Sequence, residues 1–324
     1  MSTRPKVLLT RRWTDAAQTQ LAQRFELTLN RDDLPMDAAA LLQALRTHDA
    51  ICTTVTDSVS AALLNETGLR SKLIANFGVG FNHIDVQAAR SVGIAVSNTP
   101  DVVTDATADL ALLLMLMTAR RAGEGERELR DGRWTGWRPT HLLGQDLRGK
   151  VLGLVGFGRI AQATAHRALH GFGMRIAYFG RRRADAGIEA PLQAQHYASL
   201  DDLLQHSDVI SLHIPGGADT HHLLDARRLA LLKPSALLIN TARGTVIDEA
   251  ALADVLARSA IGGAGLDVYE REPVVHPGLL ALDNVVLLPH QGTSTLETRT
   301  AMGLRVGINL DAFFAGLPLP DRVV

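Results

Sequence analysis

The stretch that decides the fold runs from residue 151 to residue 161 and reads VLGLVGFGRIA. Its first five residues, Val151–Val155, form an apolar strand pattern, and a helical pattern follows the glycines. Gly156 permits a tight turn, Gly158 lets the backbone approach a pyrophosphate, and the small Ala161 lets the helix pack close to the strand. A second strand pattern at Arg175–Phe179 places the motif in a βαβ unit. The turn therefore predicts a dinucleotide-binding site, with the phosphates at the helix N-terminus.

The residues after the second strand indicate which dinucleotide is bound. An acidic residue there would accept hydrogen bonds from the ribose hydroxyl groups of NAD. The chain instead reads FGRRR from residue 179 to residue 183, with no carboxylate to repel a 2′-phosphate and three guanidinium groups able to bind one. We predict that Arg181 and Arg182 bind it, so NADP is the preferred cofactor and NAD a second option. A solvated basic turn is the alternative interpretation.

Strand patterns alternate with helical patterns along nearly the whole chain, which predicts an α/β fold. Short apolar runs before residue 98 predict a first, smaller open sheet, and six strand candidates between residues 151 and 288 predict a second. Both are expected to be doubly wound parallel sheets, one a Rossmann dinucleotide-binding domain and the other flavodoxin-like. One uninterrupted helix is predicted from Thr104 to Arg121. The helix near residues 295–314 follows the last strand without a partner there, so we expect it to return to the first domain.

Composition and charge limit the classes of partner. Lys and Arg number 33 against 34 Asp and Glu, so no large field of one sign attracts nucleic acid or a membrane. A small-molecule partner is therefore expected. Cys52 is the single cysteine, which excludes an intrachain disulfide and suits a reducing compartment. Residues 1–10 lack a secretory pattern, and the longest apolar run, Leu110–Met117, is too short for a bilayer. We expect a cytoplasmic protein.

Three polar segments follow strands of the second predicted sheet, at the rim where open α/β sheets bind ligands. Arg243 can bind a planar carboxylate through two hydrogen bonds and polarise an adjacent keto oxygen. His290 can deliver a proton near neutral pH, and Glu272 can orient its imidazole. These residue types suit the reduction of a 2-keto acid by hydride transfer. Each of them alone also has a structural explanation, as a loop cation, a solvated acid or a rim histidine.

Metal binding is not predicted. His221 and His222 are adjacent, so we expect their side chains to diverge, and the sequence offers no evident third ligand.

At these segments the chain resembles the D-2-hydroxyacid dehydrogenase family, and within it the glyoxylate/hydroxypyruvate reductases. The likeness covers nearly the whole chain. Its marks are GVGFNHID at residues 78–85, NTPDVVTDATAD at residues 98–109, the glycine-rich turn, TARG at residues 241–244, Glu272-Pro273 and Pro289-His290.

The resemblance implies roles for particular residues. Arg243 would bind substrate, His290 would be the catalytic acid/base with Glu272 as its partner, and the backbone of Val79 and Gly80 would hold the substrate carboxylate. It also implies a discontinuous substrate domain, which we place at residues 1–101 and 294–324, with the Rossmann domain at 102–293. The predicted cofactor contacts are Thr107, Gly156, Gly158, Arg159, Ile160, Arg181, Arg182, Ile214, Pro215, Thr220, Thr241, Ala242, Arg243, Asp267, His290 and Gly292.

The expected function is the reduction of glyoxylate or hydroxypyruvate to the D-2-hydroxy acid with NADPH. Two alternatives remain open: a reductase of 2-ketogluconate or another 2-keto acid, and a nucleotide-sensing protein like the family's transcriptional corepressors. We also expect a homodimer, because Trp134 and Trp137 resemble the dimerisation arm of the reductases. Packing of both tryptophans on their own domain is the alternative.

Overall fold

A computed structural model describes residues 4–324 of the chain. These residues divide into two compact units. One comprises the residues up to Val103 together with Thr293–Val324, and the other comprises Thr104–Gly292. The predicted division placed its breaks at 101/102 and 293/294. The role of each unit stays a prediction, and residues 1–3 lie outside the described part of the chain.

The first unit is built on a parallel sheet that contains five strands within the described residues, in the order β2-β1-β3-β4-β5. This order is that of a flavodoxin-like fold. Cys52 lies fully buried in it, and burial raises the pKa of its thiol. The elements are β1 (Lys6–Leu9), α1 (Asp15–Ala22), β2 (Glu26–Leu29), α2 (Ala38–Thr47), β3 (Ala50–Cys52), α3 (Ala61–Leu64), β4 (Leu73–Ala75), α4 (Val86–Ser91) and β5 (Ala95–Ser97).

The second unit is a Rossmann fold, as the sequence predicts. Within the described residues its parallel sheet has seven strands in the order β12-β11-β10-β9-β6-β7-β8, so the strand order reverses between β6 and β9. Its elements are α5 (Thr104–Ala119), α6 (Ala122–Arg130), β6 (Val151–Val155), α7 (Arg159–Phe172), β7 (Arg175–Phe179), α8 (Ala186–Leu192), β8 (Gln195–Tyr197), α9 (Leu200–His206), β9 (Val209–Leu212), α10 (Ala226–Leu229), β10 (Leu237–Asn240), α11 (Glu249–Ala257), β11 (Gly263–Leu266), α12 (Pro277–Leu280) and β12 (Val285–Leu287).

Aliphatic residues fill both faces of the second sheet. Strands β9, β10 and β11 are buried at every position, which is what a parallel sheet covered by helices on both sides requires. Ligands of such sheets bind at the carboxyl ends of the strands, beside the point where the strand order reverses. The loops after β6, β9, β10, β11 and β12 are therefore the ones that form the site.

Two details of the second unit differ from the sequence prediction. The sheet has a seventh strand, β8, which the sequence did not indicate because its three residues read QHY and only pair with β7 at the edge. The predicted helix from Thr104 to Arg121 ends at Ala119, because Arg121 adopts a left-handed φ of 51° and a separate helix begins at Ala122.

The C-terminal helix α13 (Leu296–Phe314) belongs to the first unit. Its Gly303 faces α1, where an added Cβ would lie 2.6 Å from the Cβ of Ala17. The close approach of the two helices therefore requires a glycine at this position. Within residues 4–324, no helix combines the length and the apolar character that crossing a membrane requires.

Candidate active site

The glycine-rich turn connects β6 to α7. Gly156 has a φ of +91°, and an added Cβ would lie 2.5 Å from the carbonyl oxygen of His213, so only glycine fits. Gly158 precedes the first residue of α7, and an added Cβ there would meet no heavy atom within 4 Å. Ala161 is fully buried, which keeps the helix close to the sheet. The turn therefore leaves open space directly at the helix N-terminus, where backbone N–H groups favour a phosphate.

A second feature of the same rim fits a bound dinucleotide. Thr241 follows β10, and its hydroxyl oxygen is buried without a hydrogen-bond partner among residues 4–324. A buried hydroxyl group without a partner is costly unless a ligand or an ordered water satisfies it. The space at Gly158 and the hydroxyl of Thr241 both lie at carboxyl ends of parallel strands, so both suit a ligand laid across this edge.

The basic turn after β7 presents two arginines to solvent. Arg181 and Arg182 are exposed, whereas Arg183 donates to the carboxylate of Glu189 at 2.8 Å. The same carboxylate accepts a hydrogen bond of 2.6 Å from the hydroxyl of the buried Tyr178. Arg183 is therefore paired although it is exposed, so Arg181 and Arg182 remain the predicted ligands of a 2′-phosphate.

Glu272 and His290 are in direct contact. Oε2 of Glu272 lies 2.7 Å from Nδ1 of His290, and Oε1 accepts a hydrogen bond of 3.1 Å from the backbone of Tyr269. The backbone N–H of His290 donates to the carbonyl of Asp267 at 2.9 Å. Because Glu272 occupies Nδ1, Nε2 is the ring nitrogen that can meet a substrate.

Glu272 of this pair also interacts electrostatically with Arg243. Burial alone would raise the pKa of Glu272, but the hydrogen bond to His290 and the charges of His290 and Arg243 lower it. The carboxyl group therefore stays ionised at neutral pH. Burial lowers the pKa of Arg243, and the negative charge of Glu272 opposes that shift. The structure thus brings the three predicted catalytic residues to one rim, close enough for their charges to interact.

Asp267 organises the backbone beside His290. Its carboxylate accepts hydrogen bonds from the backbone of Gln291 at 2.6 Å and of Gly292 at 2.8 Å. Burial raises its pKa to about 6, although those hydrogen bonds and the charge of His290 oppose the shift. An added Cβ at Gly292 would lie 3.7 Å from Cγ2 of Thr107. The predicted cofactor residues Thr107, Asp267 and Gly292 therefore form one cluster.

The loop after β4 in the first unit carries the predicted carboxylate-binding backbone. The side-chain amide of Asn76 donates to the carbonyls of Gly78 and Gly80 at 2.9 and 3.0 Å, and that of Asn98 donates to the carbonyl of Val79 at 2.9 Å. Among residues 4–324, no hydrogen bond uses the N–H of Val79 or Gly80. The loop is therefore fixed through its carbonyl groups and keeps two N–H donors for an anion.

Comparisons with known proteins agree with this geometry. Residues 112–292 match the family model described as "D-isomer specific 2-hydroxyacid dehydrogenase, NAD binding domain". The chain is 44% identical to the glyoxylate reductase of Thermococcus litoralis, over 99% of this chain and 97% of that protein. The glyoxylate reductase of Thermococcus onnurineus is 42% identical over 99% of this chain and 96% of its own length.

The chain belongs to the D-isomer specific 2-hydroxyacid dehydrogenase family.

A solved relative extends the likeness to structure. The NADPH-dependent glyoxylate/hydroxypyruvate reductase of Sinorhizobium meliloti, crystallised with NADP and malonate, has a TM-score of 0.87 and 36% identity, with 99% of this chain and 97% of that chain covered. This D-2-hydroxyacid dehydrogenase is accordingly an oxidoreductase that acts on a CH–OH group and uses a nicotinamide dinucleotide.

Other predicted cofactor residues of the dehydrogenase lie on the same rim. Arg159 and Ile160 are the first two residues of α7. Ile214, Pro215 and Thr220 lie in the loop after β9, where the hydroxyl of Thr220 donates to the carbonyl of Pro215 at 2.8 Å. Ala242 follows Thr241, and its N–H donates to the side chain of Asn240. Which of these residues touch the dinucleotide stays a prediction.

The structure also reveals residues that the sequence analysis missed. An added Cβ at Gly244 would lie 1.8 Å from the carbonyl carbon of Tyr269, so the loop after Arg243 packs directly on the loop that carries Glu272. The hydroxyl of Tyr269 donates to the carbonyl of Leu288 at 2.8 Å. These contacts join the loops after β10, β11 and β12. The glycine in the TARG motif was the one sequence feature that could have indicated this close packing. Its contact lies 25 residues further along the chain, so no local pattern predicts the partner.

The expectation about the histidine pair is wrong in its geometry. The rings of His221 and His222 stack with centroids 4.0 Å apart, so the side chains do not diverge. A third residue, Glu270, joins them, since its Oε1 lies 3.1 Å from Nε2 of His222. His222 also has a left-handed backbone, with a φ of 48°.

Proposed function

We propose that this dehydrogenase reduces glyoxylate or hydroxypyruvate to the D-2-hydroxy acid, with NADPH as the preferred hydride donor. The observation that carries the proposal is the contact between Glu272 and His290, 2.7 Å long, within reach of the charge of the half-buried Arg243. The likeness to two glyoxylate reductases over nearly the full chain supports this substrate class.

Arg243 and the loop at Val79 and Gly80 are proposed to bind the substrate. Arg243 is half-buried, and a charged hydrogen bond to a carboxylate is stronger there than in open water. Arg243 would bind the carboxylate and polarise the keto oxygen. The N–H groups of Val79 and Gly80 supply two further donors for the carboxylate. Each of these groups suits the carboxylate or the keto oxygen of a small 2-keto acid.

His290 is proposed to be the general acid. When bound, the nicotinamide ring supplies the hydride to carbon 2 of the keto acid. Nε2 of His290 gives its proton to the oxygen on that carbon, and the ionised Glu272 stabilises the positive charge that the imidazole must carry beforehand. In the reverse direction Nε2 accepts the proton from the hydroxyl group. Asp267 holds the backbone at Gln291 and Gly292 and so keeps His290 in position.

Arg181 and Arg182 are proposed to bind the 2′-phosphate of NADP. Both are exposed at the end of β7, and Arg183 has its own partner in Glu189. The relative from Sinorhizobium meliloti is described as NADPH-dependent, which is consistent with this preference. NAD would lack the phosphate that these two guanidinium groups can bind.

The experiment is a matrix of substrates and cofactors. The oxidation of NADPH and of NADH is followed by absorbance with glyoxylate, hydroxypyruvate, pyruvate and 2-ketogluconate, and kcat/KM is determined for each pair. The highest value is expected for glyoxylate or hydroxypyruvate with NADPH. A higher kcat/KM for 2-ketogluconate would replace the proposed substrate. Dinucleotide binding without turnover of any keto acid would instead favour the corepressor-like alternative.

A further inference from the structure

Two imidazole rings and a carboxylate meet on the surface of the second unit. His221 and His222 lie at the end of the loop after β9, and Glu270 lies in the loop after β11. One ligand atom from each residue lies within 4.8 Å of the others. His221 is exposed and the other two are half-buried, so an ion and its water ligands can reach them from solvent.

We propose that His221, His222 and Glu270 bind a divalent transition-metal ion of the zinc class. Two imidazole nitrogens and one carboxylate oxygen form a ligand set that such ions take, with water completing a tetrahedral arrangement. Imidazole ligands disfavour Mg²⁺ and Ca²⁺, which take oxygen ligands. The carboxylate of Glu270 disfavours an anion at the same position. This inference does not depend on the proposed function.

The distances require only a small adjustment of the side chains. Metal–ligand bonds of about 2.0 to 2.1 Å in a tetrahedral site place neighbouring ligand atoms about 3.3 Å apart. Nε2 of His222 and Oε1 of Glu270 already lie 3.1 Å apart. The rings of the two histidines are inclined by 25°, and rotation of the exposed His221 ring about its own side-chain bonds would bring its nitrogen to the ion.

The backbones that carry the ligands are held in place. The N–H of His222 donates to the carbonyl of Thr245 at 2.8 Å. The N–H of Glu270 donates to the carboxylate of Glu249 at 2.6 Å. A site whose ligands are already positioned loses less conformational entropy when the ion binds.

A bound ion would join two loops of the active-site rim. One loop carries Pro215 and Thr220, which we assign to the cofactor, and the other continues from Glu270 to Glu272. Both loops are expected to exchange their amide hydrogens more slowly when the ion is present, because local opening would break the metal site. This effect gives a readout that does not require catalysis.

The test uses the full-length chain without a histidine tag. Co²⁺ is added and its visible absorption is followed, and Zn²⁺ binding is measured by calorimetry and by displacement of Co²⁺. About one ion per chain is expected. His222→Asn and Glu270→Gln should each weaken binding at least about 10-fold, since the loss of even an outer-shell partner typically costs that much. Asn is chosen because it tolerates the left-handed backbone of residue 222.

His166→Ala is the matched control. His166 and His170 lie one turn apart on α7 with ring centroids 4.5 Å apart, and they form the competing histidine pair of the second unit. Binding should survive His166→Ala. The proposal is overturned if binding is lost in His166→Ala, if neither His222→Asn nor Glu270→Gln weakens it, or if the wild type binds no ion. His221→Ala, at an exposed position, serves as a further ligand variant should another variant fail to fold.

Discussion

The hydrogen bond between Glu272 and His290 gives the two ring nitrogens of the imidazole different roles. The carboxylate occupies Nδ1 at 2.7 Å and leaves Nε2 for substrate. Residue type and position after a strand were sufficient to predict this pair, since few side chains serve as a proton donor near neutral pH. The network of Tyr178, Glu189 and Arg183 could not be predicted in the same way. Its hydrogen bonds join residues of β7, of the turn after it and of α8, and three consecutive arginines look equivalent in a sequence.

Substitutions of arginine residues test the preference for NADPH over NADH. In the variant with both Arg181→Gln and Arg182→Gln, the KM for NADPH should rise at least about 10-fold, because each charged hydrogen bond contributes about 1.5–3 kcal/mol. The KM for NADH should change little. Arg183→Gln is the matched control, since Glu189 already holds Arg183, and it should keep the preference. Steady-state kinetics with both cofactors measures these effects; an equal loss for NADH and NADPH in the double variant would contradict the assignment.

Among the elements, the turn between β6 and α7 contains two glycines with different expected roles. Gly156 is expected to be required for the fold, and Gly158 is expected to be required for cofactor binding. Gly156→Ala introduces a Cβ 2.5 Å from a backbone oxygen at a φ of +91°, so the free energy of unfolding should fall by about 1–3 kcal/mol. Gly158→Ala meets no protein atom within 4 Å. It should leave that free energy within about 0.5 kcal/mol of the wild type and weaken NADPH binding, because the methyl group occupies the space for the pyrophosphate. Urea unfolding and fluorescence titration distinguish the two, and unaltered NADPH affinity in Gly158→Ala would contradict the placement of the phosphates.

The segment from β7 to α8 should make stability depend on pH. Hydrogen bonds from Arg183 and Tyr178 lower the pKa of Glu189 from 4.5 to about 2. A carboxyl group with a lowered folded-state pKa adds stability above its unfolded value, and this stability is lost as the pH falls toward the folded value. The free energy of unfolding of the wild type should therefore exceed that of Glu189→Gln by a constant amount above about pH 5. The excess should shrink between pH 4.5 and pH 3 in urea titrations; a difference that does not change with pH would argue against the ion pair.

The main strands and helices were predictable because their apolar runs repeat at a strand or helix period between turn residues. Two exceptions lack such a pattern. Strand β8 contains three residues, Gln195–Tyr197, and carries no apolar run. Helix α5 ends at Ala119 because Arg121 has a left-handed backbone. No proline and no preceding glycine indicates this end in the sequence. Short edge strands and helix ends set by a single residue are decided by neighbours distant in sequence.

For the molecule as a whole, the exposed tryptophans predict association. Trp134 and Trp137 are 51% and 82% exposed, and large exposed apolar side chains commonly mark an interface. We expect a homodimer in sedimentation velocity, and Trp137→Ser should raise the dimer dissociation constant at least about 10-fold, as loss of a buried aromatic anchor does. Leu34→Ser, at a residue 65% exposed in the first unit, should not. A monomeric wild type at micromolar concentration would contradict the prediction.

His290 is proposed to donate the proton when the keto acid is reduced. His290→Asn tests this role most directly, because Asn tolerates the φ of 53° at this position and cannot act as a general acid. Stopped-flow turnover of glyoxylate with NADPH should fall by about two to four orders of magnitude, while NADPH binding should be largely retained. His206→Asn, at an exposed position on α9, should behave as the wild type. A His290→Asn enzyme that binds NADPH and turns over glyoxylate at the wild-type rate would contradict the account.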